Sequence, residues 1–491
     1  MLCLPCLLVS MDASVLNLAV GPISEDLRPS GSQLLWIVDV YGFMLVGSLI
    51  TMGTLGDRIG RRRLLLTGAA AFGGASVLAA CSVSAGMLIA ARALLGIAGA
   101  TLMPSTLALI GGMFTDPGQR TTAVGIWMAA LSAGGALGSP AGGLMLALFP
   151  WQSVFLLAVP PMALLLVAGP LLLPESRAAD AGRPDLASAA LSLAAVLAVV
   201  YGLKRGAQDG LGGVPLLGVA AGLGAGVLFV RRQRRPAAGH VELGLFRARA
   251  FSTALAVNLL GFMVTFGAFF FTGQYLQLVL GLGSLEAGLW MAPSFLGFAA
   301  GSVLAPALVR RVGGTSIAMA GGLGLATAGF AAVAHVDPAS GLTELVAGSV
   351  VFSLGLGPVF TLCADIAVGA ASPGRAGAAS ALSETSTELG TALGIAILGT
   401  LGTAVYRARM TGAVPSGVPP EAAESARDTL GGAVAASDRL PVQAGADLLD
   451  AARQAFTAAL QTTAAVSAAV TAACAVAILV LLRPSGADEL C

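Results

Sequence analysis

Long apolar runs constrain the fold of this chain more than any other feature of its sequence. Fourteen stretches of about 20 residues are dominated by hydrophobic side chains, and a helix of that length spans a hydrocarbon core of about 30 Å. Because lipid offers the backbone no hydrogen-bonding partner, such runs form α-helices. The sequence therefore predicts an all-α polytopic membrane protein with fourteen transmembrane helices. The predicted spans are 1–22, 33–53, 64–82, 86–113, 121–146, 153–173, 185–204, 214–231, 250–273, 285–309, 315–334, 342–369, 379–405 and 455–482.

The composition argues against several classes of function. Only 10% of the residues are charged, against about 25% in soluble domains, and the net charge of +1 suggests neither a nucleic acid nor an acidic partner. The six cysteines show no metal-ligand spacing, and His240 and His335 both lie in predicted loops. Lys204 is the only lysine, so the phosphate-binding loop of an ATP-driven pump is missing. We therefore expect no metal, no cofactor and no enzymatic activity.

The distribution of arginine predicts the orientation in the membrane. Loops on one side of the predicted spans carry most of the arginines, whereas the short loops on the other side hold only Arg28, Lys204 and Arg205. Basic residues favour the cytoplasmic face, and an even number of spans places both termini there. We expect a protein of the cytoplasmic membrane with both termini in the cytoplasm. The first span begins almost at Met1 without a cleavage site, which predicts a retained helix; a start upstream of Met1 is the alternative.

A degraded repeat divides the chain into two halves. Segment 305–314 resembles segment 53–63 with its aspartate lost. Internal repeats in transporters place the substrate site between two homologous bundles. The prolines and glycines of 406–453 permit a partly ordered hairpin or disorder. The predicted regions are an N-terminal six-helix bundle at 1–173, a linker region with two additional transmembrane helices at 174–249, a C-terminal six-helix bundle at 250–482 that includes a long external loop at 406–453, and a cytoplasmic tail at 483–491.

The loop after the second span combines glycine, aspartate and arginine at a fixed spacing. Gly53 and Gly60 let two helix ends approach closely, and Asp57 can accept hydrogen bonds from arginines or from a helix N-terminus. Arg58 and Arg61 belong to a basic cluster that prefers an anionic membrane face. A generic basic stop signal would explain the arginines but not the spacing of glycine and aspartate. We therefore predict a gating element.

Two charged residues lie inside apolar spans of the first half. Asp12 is in the middle of the first span, where an acid marks a cavity or a proton path by default. Arg92, in the fourth span, cannot shed its charge and must face polar company. We predict that Arg92 pairs with Asp12 and modulates its affinity for protons. A pair that serves packing alone is the other interpretation, and the two are compatible.

The fifth span carries a run of glycines that favours close packing between helices. Small residues at these spacings create a groove for a neighbouring helix, and a proline kinks the helix that contains it. Generic packing and a specialised antiporter helix both fit the pattern. The residues concerned are Gly125, Gly134, Gly138, Pro140, Gly142 and Gly143.

The thirteenth span holds two acids four residues apart. Glu384 and Glu388 share one helical face, where they repel unless one is protonated or a cation lies between them. This arrangement predicts a proton-sensitive cation site; solvated surface charge at the end of the span is the alternative. Asp365 and Asp39, near the ends of their spans, are weaker candidates for the same role.

Aromatic residues are candidates for holding a cationic ligand. Aromatic faces attract quaternary or protonated amines, although such clusters are more often lipid-facing or part of the core. We favour the core interpretation for most of them. The candidates for the cavity are Trp36, Tyr41, Phe262, Phe266 and Tyr275.

Taken together, these motifs resemble the fourteen-span drug:proton antiporters of the major facilitator superfamily. In that group a proline directly follows the third glycine of the antiporter motif, whereas Ser139 stands there and the proline is displaced to position 140. Some members carry two adjacent acids where this chain has Ser383 and Glu384, and an acid in the tenth span, which is missing. The matching segments are 12–17, 36–41, 53–63, 92–104, 125–143, 274–277, 286–288 and 384–390.

The resemblance implies two six-helix bundles plus two inserted helices, and proton-driven export of lipophilic organic cations by alternating access. In this family, acids that match Asp12 and Glu384 serve coupling or cation recognition. We expect a small-molecule substrate, the proton as the coupling ion, the lipid bilayer as the environment and a monomer. Export of an endogenous metabolite or a self-made antibiotic, and gradient-independent facilitation, are the alternatives.

Overall fold

In the computed structural model the described residues form helices joined by turns, with no strand among them, which confirms the predicted all-α class. Eleven helices in these ranges are long and apolar enough to cross a membrane, and Cys3–Asp12 and Gly213–Phe229 are shorter apolar stretches. Most of the seventh predicted span, 185–204, lies outside the described residues, so the count of fourteen stays a prediction. The described residues are 1–175, 190–191, 194–195, 197–199, 201–202, 212–233, 243–336, 341–371, 376–415 and 418–482.

The N-terminal half is built from α1 to α7, and several of these helices begin at a capping side chain. Ser30 accepts from the backbone of Gln33 in a capping box before α2. Ser84 and Asp116 satisfy backbone amides at the starts of α4 and α5. The helices are α1 (Cys3–Leu27), α2 (Gly31–Ile59), α3 (Arg61–Ala80), α4 (Ala85–Met113), α5 (Pro117–Leu148), α6 (Ser153–Leu156) and α7 (Val159–Leu172).

The C-terminal half contains two spans interrupted by a π-helical turn. The turn Tyr275–Val279 extends α9, and the turn Gly394–Leu398 joins α13 to α14. The elements are α8 (Gly213–Gln233), a 3₁₀ turn (Leu243–Arg247), α9 (Arg249–Gln274), α10 (Ser284–Val312), α11 (Thr315–Val333), α12 (Gly341–Gly369), α13 (Ala376–Leu393), α14 (Gly399–Ala413), α15 (Pro420–Asp428), α16 (Leu430–Ser437) and α17 (Val442–Leu481).

The two halves pack against each other through a small set of helices. α5 lies along α10, and α13 packs against both α2 and α4. One hydrophobic cluster fills the N-terminal half. A second fills the C-terminal half and also includes Cys6, Leu107 and Trp127 of the N-terminal half. The ends of α2, α4 and α12 and the starts of α3, α5 and α13 lie together. We call this the basic end, because Arg61 and Arg120 lie there.

The described residues of 406–453 are mostly helical, so the alternative of disorder for this segment is wrong. α14 continues to Ala413, α15 and α16 follow, and α17 begins at Val442. Pro420 starts α15 and Pro441 precedes α17, positions at which proline favours a helix rather than breaking it. The hydroxyl of Tyr406 donates to the carbonyl of Ala426 at 2.7 Å, which ties α14 to α15.

Close approach of α11 and α12 gives a test of the packing. A Cβ atom on Gly322 would lie 2.6 Å from the carbonyl oxygen of Gly355, whereas one on Gly321 would meet nothing within 4 Å. We expect Gly322→Val to lower the stability of the purified protein by about 1–3 kcal/mol, the usual cost of overpacking. Thermal unfolding in detergent measures the change, with Gly321→Val as the control. Equal melting temperatures for the two variants would contradict the packing described.

Candidate functional site

Asp12 and Arg92 form an ion pair between α1 and α4. Arg92 Nη1 lies 2.5 Å from Asp12 Oδ2, and Arg92 Nε donates to the carbonyl of Ile37 at 3.2 Å. The arginine side chain is 1% exposed and that of Asp12 15% exposed. The structure thus brings together the two residues that the sequence predicts as partners. Their role in coupling stays a prediction.

Tyr41 of α2 covers the guanidinium of this pair. The Cζ atom of Arg92 lies 4.7 Å from the centre of the Tyr41 ring, within the range of a cation–π interaction. The buried Tyr41 hydroxyl has no hydrogen-bond partner among the described residues. Asp39 lies two residues earlier on α2 and is half-buried, and Trp36 is 46% exposed and packs edge-on against a phenylalanine of its own helix. Of the aromatic candidates, Tyr41 therefore has the most direct contact with the charged site.

Glu384 and Glu388 of α13 face the N-terminal half. Glu384 is 5% exposed, which rules out the interpretation that places it as a solvated surface charge. It lies within electrostatic reach of Cys6 on α1, and Glu388 lies within reach of Tyr41. The acid pair of one half and the Asp12–Arg92 pair of the other thus approach the same interface. Since the two glutamates also repel each other, this interface favours a proton or an organic cation.

Asn258 of α9 supports the helix that carries the two glutamates, and the sequence analysis missed it. Its Nδ2 atom donates to Thr387 Oγ1 at 2.8 Å and to the carbonyl of Ser383 at 3.3 Å. Its Oδ1 atom is buried without a hydrogen-bond partner among the described residues. α9 and α13 can approach this closely because residue 390 is a glycine. A Cβ atom at this position would clash with the backbone of Leu259. A polar residue inside an apolar span was the signal available in the sequence.

Asp57 joins the two halves at the basic end. It accepts hydrogen bonds from the backbone amides of Gly377 and Ala378 at the start of α13, each at 2.9 Å. Arg61 donates to the same carboxylate at 3.0 and 3.1 Å. Both kinds of partner foreseen for this aspartate, an arginine and a helix N-terminus, are present. The positive end of the α13 dipole and the arginine both stabilise the negative charge.

Glycines make this junction possible, as the loop motif predicts. Gly60 has φ +109°, a conformation that residues with a side chain rarely adopt, and it lets α3 begin one residue after α2 ends. A Cβ atom on Gly53 would lie 2.5 Å from the carbonyl oxygen of Gly377, so the backbones of α2 and α13 are in direct contact. Arg58 is half-buried in the last turn of α2.

A second ion pair crosses between the halves at the same end. Arg120 Nε of α5 lies 2.6 Å from Asp365 Oδ1 of α12, and Thr121 Oγ1 donates to the other carboxylate oxygen at 2.8 Å. Asp365 is thus brought to the basic end, not to the Asp12–Arg92 pair. This pairing could not be predicted from local sequence patterns, because 245 residues separate Arg120 from Asp365.

The glycine-rich helix α5 packs on both halves at once. A Cβ atom on Gly125 would lie 2.5 Å from the carbonyl of Ser302 on α10. On its other side, one on Gly134 would clash with the backbone of Leu7 on α1, and one on Gly142 would lie 3.2 Å from the Cα atom of Val15. The predicted groove for neighbouring helices is therefore present. Of the remaining members, Gly138 is buried, Gly143 meets nothing within 4 Å and Pro140 is exposed.

Phe262 and Tyr275 belong to the interior of the C-terminal half, whereas Phe266 is 38% exposed. Phe262 is buried, with its ring centre 4.1 Å from that of Phe360 and 6.0 Å from that of Phe266. Tyr275 is fully buried in the π turn that extends α9. Their contacts match the core interpretation that the sequence favours. Within the part of the chain that the structure describes, no group of three or more His, Cys, Asp or Glu side chains could hold a metal ion.

Two helical halves joined by hydrogen bonds at the basic end, with buried charged residues in each half, are the architecture of a membrane transporter. Residues 2–395 match the Major Facilitator Superfamily, and the chain belongs to this family, as its motifs predict. The human organic anion transporter MFSD10 (TETRAN) has the same fold, with a TM-score of 0.59 at 17% identity over 96% of this chain and 97% of that chain. The proton:xylose symporter XylE gives a TM-score of 0.52 at 16% identity over 79% and 85%.

Relatives in sequence extend over nearly the whole chain. The multidrug efflux pump LfrA of Mycolicibacterium smegmatis is 43% identical over 483 residues, which cover 98% of this chain and 95% of that protein. The methyl viologen resistance protein SmvA of Salmonella typhimurium is 35% identical over 463 residues, 91% and 90% of the two chains. The puromycin resistance protein pur8 of Streptomyces alboniger is 33% identical over 404 residues, 81% and 80% of the two chains.

The gate contacts give a second prediction. Asp57→Ala removes the acceptor for Arg61 and for two amides at the start of α13, so we expect the halves to separate at the basic end. Spin labels at Met113 and Val312, exposed positions on different halves, should show a longer distance by double electron–electron resonance. Asp116→Ala is the control, since Asp116 caps only its own helix. An unchanged distance in Asp57→Ala would show that this carboxylate does not hold the gate closed.

Proposed function

We propose that the protein exports lipophilic cationic drugs across the cytoplasmic membrane in exchange for protons. The observation that carries the proposal is the approach of the buried Asp12–Arg92 pair to the Glu384–Glu388 pair of the opposite half. A site with three carboxylates and one permanent cation attracts either a proton or a cationic substrate. The names of two relatives, a multidrug efflux pump and a methyl viologen resistance protein, support this substrate class.

The coupling step that we propose begins at Asp12. When Asp12 takes up a proton, Arg92 loses its anionic partner but keeps its charge, because guanidinium stays protonated. An uncompensated buried charge costs about 3–5 kcal/mol, enough to shift an equilibrium between two conformations. Arg92 would then turn to Glu388, the acid within electrostatic reach of its neighbour Tyr41. A cationic drug held by the glutamates would be displaced in that step, since both cations compete for the same carboxylates.

Alternating access follows from the arrangement of the two halves. We place the basic end in the cytoplasm, because arginine-rich loops favour that side. The contacts of Asp57 and of Arg120 with the other half then close the cytoplasmic end, and their release would open it. We further propose a monomer that needs no cofactor besides the coupling proton. A self-made antibiotic is the second candidate substrate, favoured by the puromycin resistance relative from a Streptomyces species.

Efflux of ethidium tests the proposed exchange. Cells that express the wild type should extrude ethidium, and a protonophore should stop this efflux. Asp12→Asn should abolish it, since an amide cannot exchange a proton in this pH range. Asp26→Asn is the control on the same helix, because Asp26 accepts hydrogen bonds from Trp151 and Gln152 instead of from Arg92. If neither the protonophore nor Asp12→Asn reduces efflux of any cationic dye, the exchange mechanism is refuted.

The hydroxyl of Tyr41 gives a narrower prediction. Tyr41→Phe retains the ring that covers Arg92 and removes the hydroxyl, which has no hydrogen-bond partner among the described residues. If that hydroxyl assists the transfer of Arg92 between acids, transport should slow by about tenfold, or roughly 1.4 kcal/mol. Equilibrium binding of tetraphenylphosphonium should remain within about twofold, which a loss of folding would not allow. Transport at the wild-type rate would show that only the ring matters.

A further inference from the structure

A small cavity lies beside Asp12, inside the N-terminal half. It occupies about 30 Å³ between α1, α3 and the α6–α7 turn, and Asp12 and Ser76 are the two polar side chains among its lining residues. The remaining lining side chains are apolar, with Phe72 and Phe155 the largest. A volume of this size has room for about two water molecules. The cavity lies inside one half, whereas the glutamates approach Asp12 from the other half.

The two polar side chains of the cavity have capacity for hydrogen bonds. Arg92 occupies Oδ2 of Asp12, and no hydrogen bond to Oδ1 is formed by the described residues. The Ser76 hydroxyl likewise has no hydrogen-bond partner within the described part of the chain, although the residue is 2% exposed. Buried hydroxyls and carboxylates nearly always have a partner, either protein or water. A water molecule between Asp12 and Ser76 would supply it to both.

Two prolines follow the helix break that borders this cavity. Pro160 and Pro161 carry no amide hydrogen, so the carbonyls of Leu156 and Leu157 lack the donors that a continuous helix would provide. The helix breaks there, since α6 ends at Leu156 and α7 begins at Val159. Leu157 and Ala158, the residues of the break, both line the cavity. The carboxylate of Asp12 and the hydroxyl of Ser76 together give the minimum of about two partners that a buried water requires.

We propose that this cavity is a water site through which Asp12 receives its proton, separate from the path of the drug between the two halves. The site is on the side of α6, which follows Trp151 at the end of the bundle opposite the basic end. A proton arriving from that end passes from the bound water to Asp12 Oδ1, and the water is protonated again from outside. Of the charged groups, Asp12 lines the cavity and Arg92 faces it across the carboxylate. The nearby arginine disfavours a second cation such as sodium there.

The inference rests on the proposed proton exchange, and its test uses variants that fill the cavity. Ser76→Val removes the hydroxyl and adds bulk from α3, and Ala158→Leu adds bulk from the α6–α7 turn without removing a polar side chain. Gly74→Val is the matched control on α3, because a Cβ atom on Gly74 would meet nothing within 4 Å. All three variants leave Asp12, Arg92 and the glutamates in place.

Purified protein in liposomes that contain a pH-sensitive dye provides the measurement. After a drop in external pH, with tetraphenylphosphonium inside, we expect both filling variants to take up protons about tenfold more slowly than the wild type and Gly74→Val. Equilibrium binding of tetraphenylphosphonium should stay within about twofold, since the drug does not enter this cavity.

Three outcomes would overturn the inference, and one of them would also refute the proposed function. Proton uptake at the wild-type rate in both filling variants would show that the proton arrives by another route. A requirement for sodium would reassign the cavity to a metal cation. If the wild type itself takes up no protons in exchange for any cation tested, then the proposed function fails together with the inference.

Discussion

The guanidinium of Arg92 is permanently charged and is buried among the helices of the N-terminal half. It therefore needs negatively charged or polar partners in every conformation of the protein. Arg92 is 1% exposed, and its charge is compensated by the Asp12 carboxylate, a backbone carbonyl of α2 and the face of Tyr41. These three partners come from two other helices, so the charge fixes how α1, α2 and α4 pack together. Because Arg92 cannot release its own proton, any change in the charge of Asp12 must be answered by a movement of helices or by another anion. The pair is therefore a requirement of the packing, and the coupling role proposed for it would act at the same site.

Hydrogen bonds to the backbone, in place of an ion pair, connect the two halves at Asp57. Asp57 binds the first free amides of α13, so the hydrogen bonds that close the basic end are made to backbone, not to a flexible side chain. α13 also carries Glu384, about two turns after the residues that Asp57 holds. A movement of α13 away from α2 would therefore break the hydrogen bonds of Asp57 and displace the two glutamates in one step. The amides that Asp57 binds and the proposed coupling residue Glu384 thus lie on one rigid helix.

The sequence predicts those parts of the site that follow from local chemistry. Asp12 and Arg92 were identifiable because a charge inside an apolar span is costly, and their pairing follows because each span offered few other partners. The Arg120–Asp365 pair is not predictable from the sequence, since both residues lie at span ends where solvated charge is the ordinary interpretation. The error at 406–453 has a comparable cause. Prolines and glycines were treated as breakers, whereas Pro420 lies at a helix start, and the tertiary contact of Tyr406 that orders the segment leaves no local pattern.

The packing of α5 shows where Pro140 lies relative to the glycine contacts of that helix. Gly134 and Gly142 face α1, and Gly125 faces α10, so small residues of α5 contact both halves closely along its length. Pro140 is exposed on the outside of this contact. Its missing amide weakens the helix on the outer face, where no neighbouring backbone depends on the geometry, and leaves the glycine contact with α1 intact. A bend at this point would swing the outer end of α5 relative to Asp12 while Gly125 stays against α10. The shift of the proline by one position therefore changes the direction of a possible bend and preserves the tight contact between the helices on which the charged pair depends.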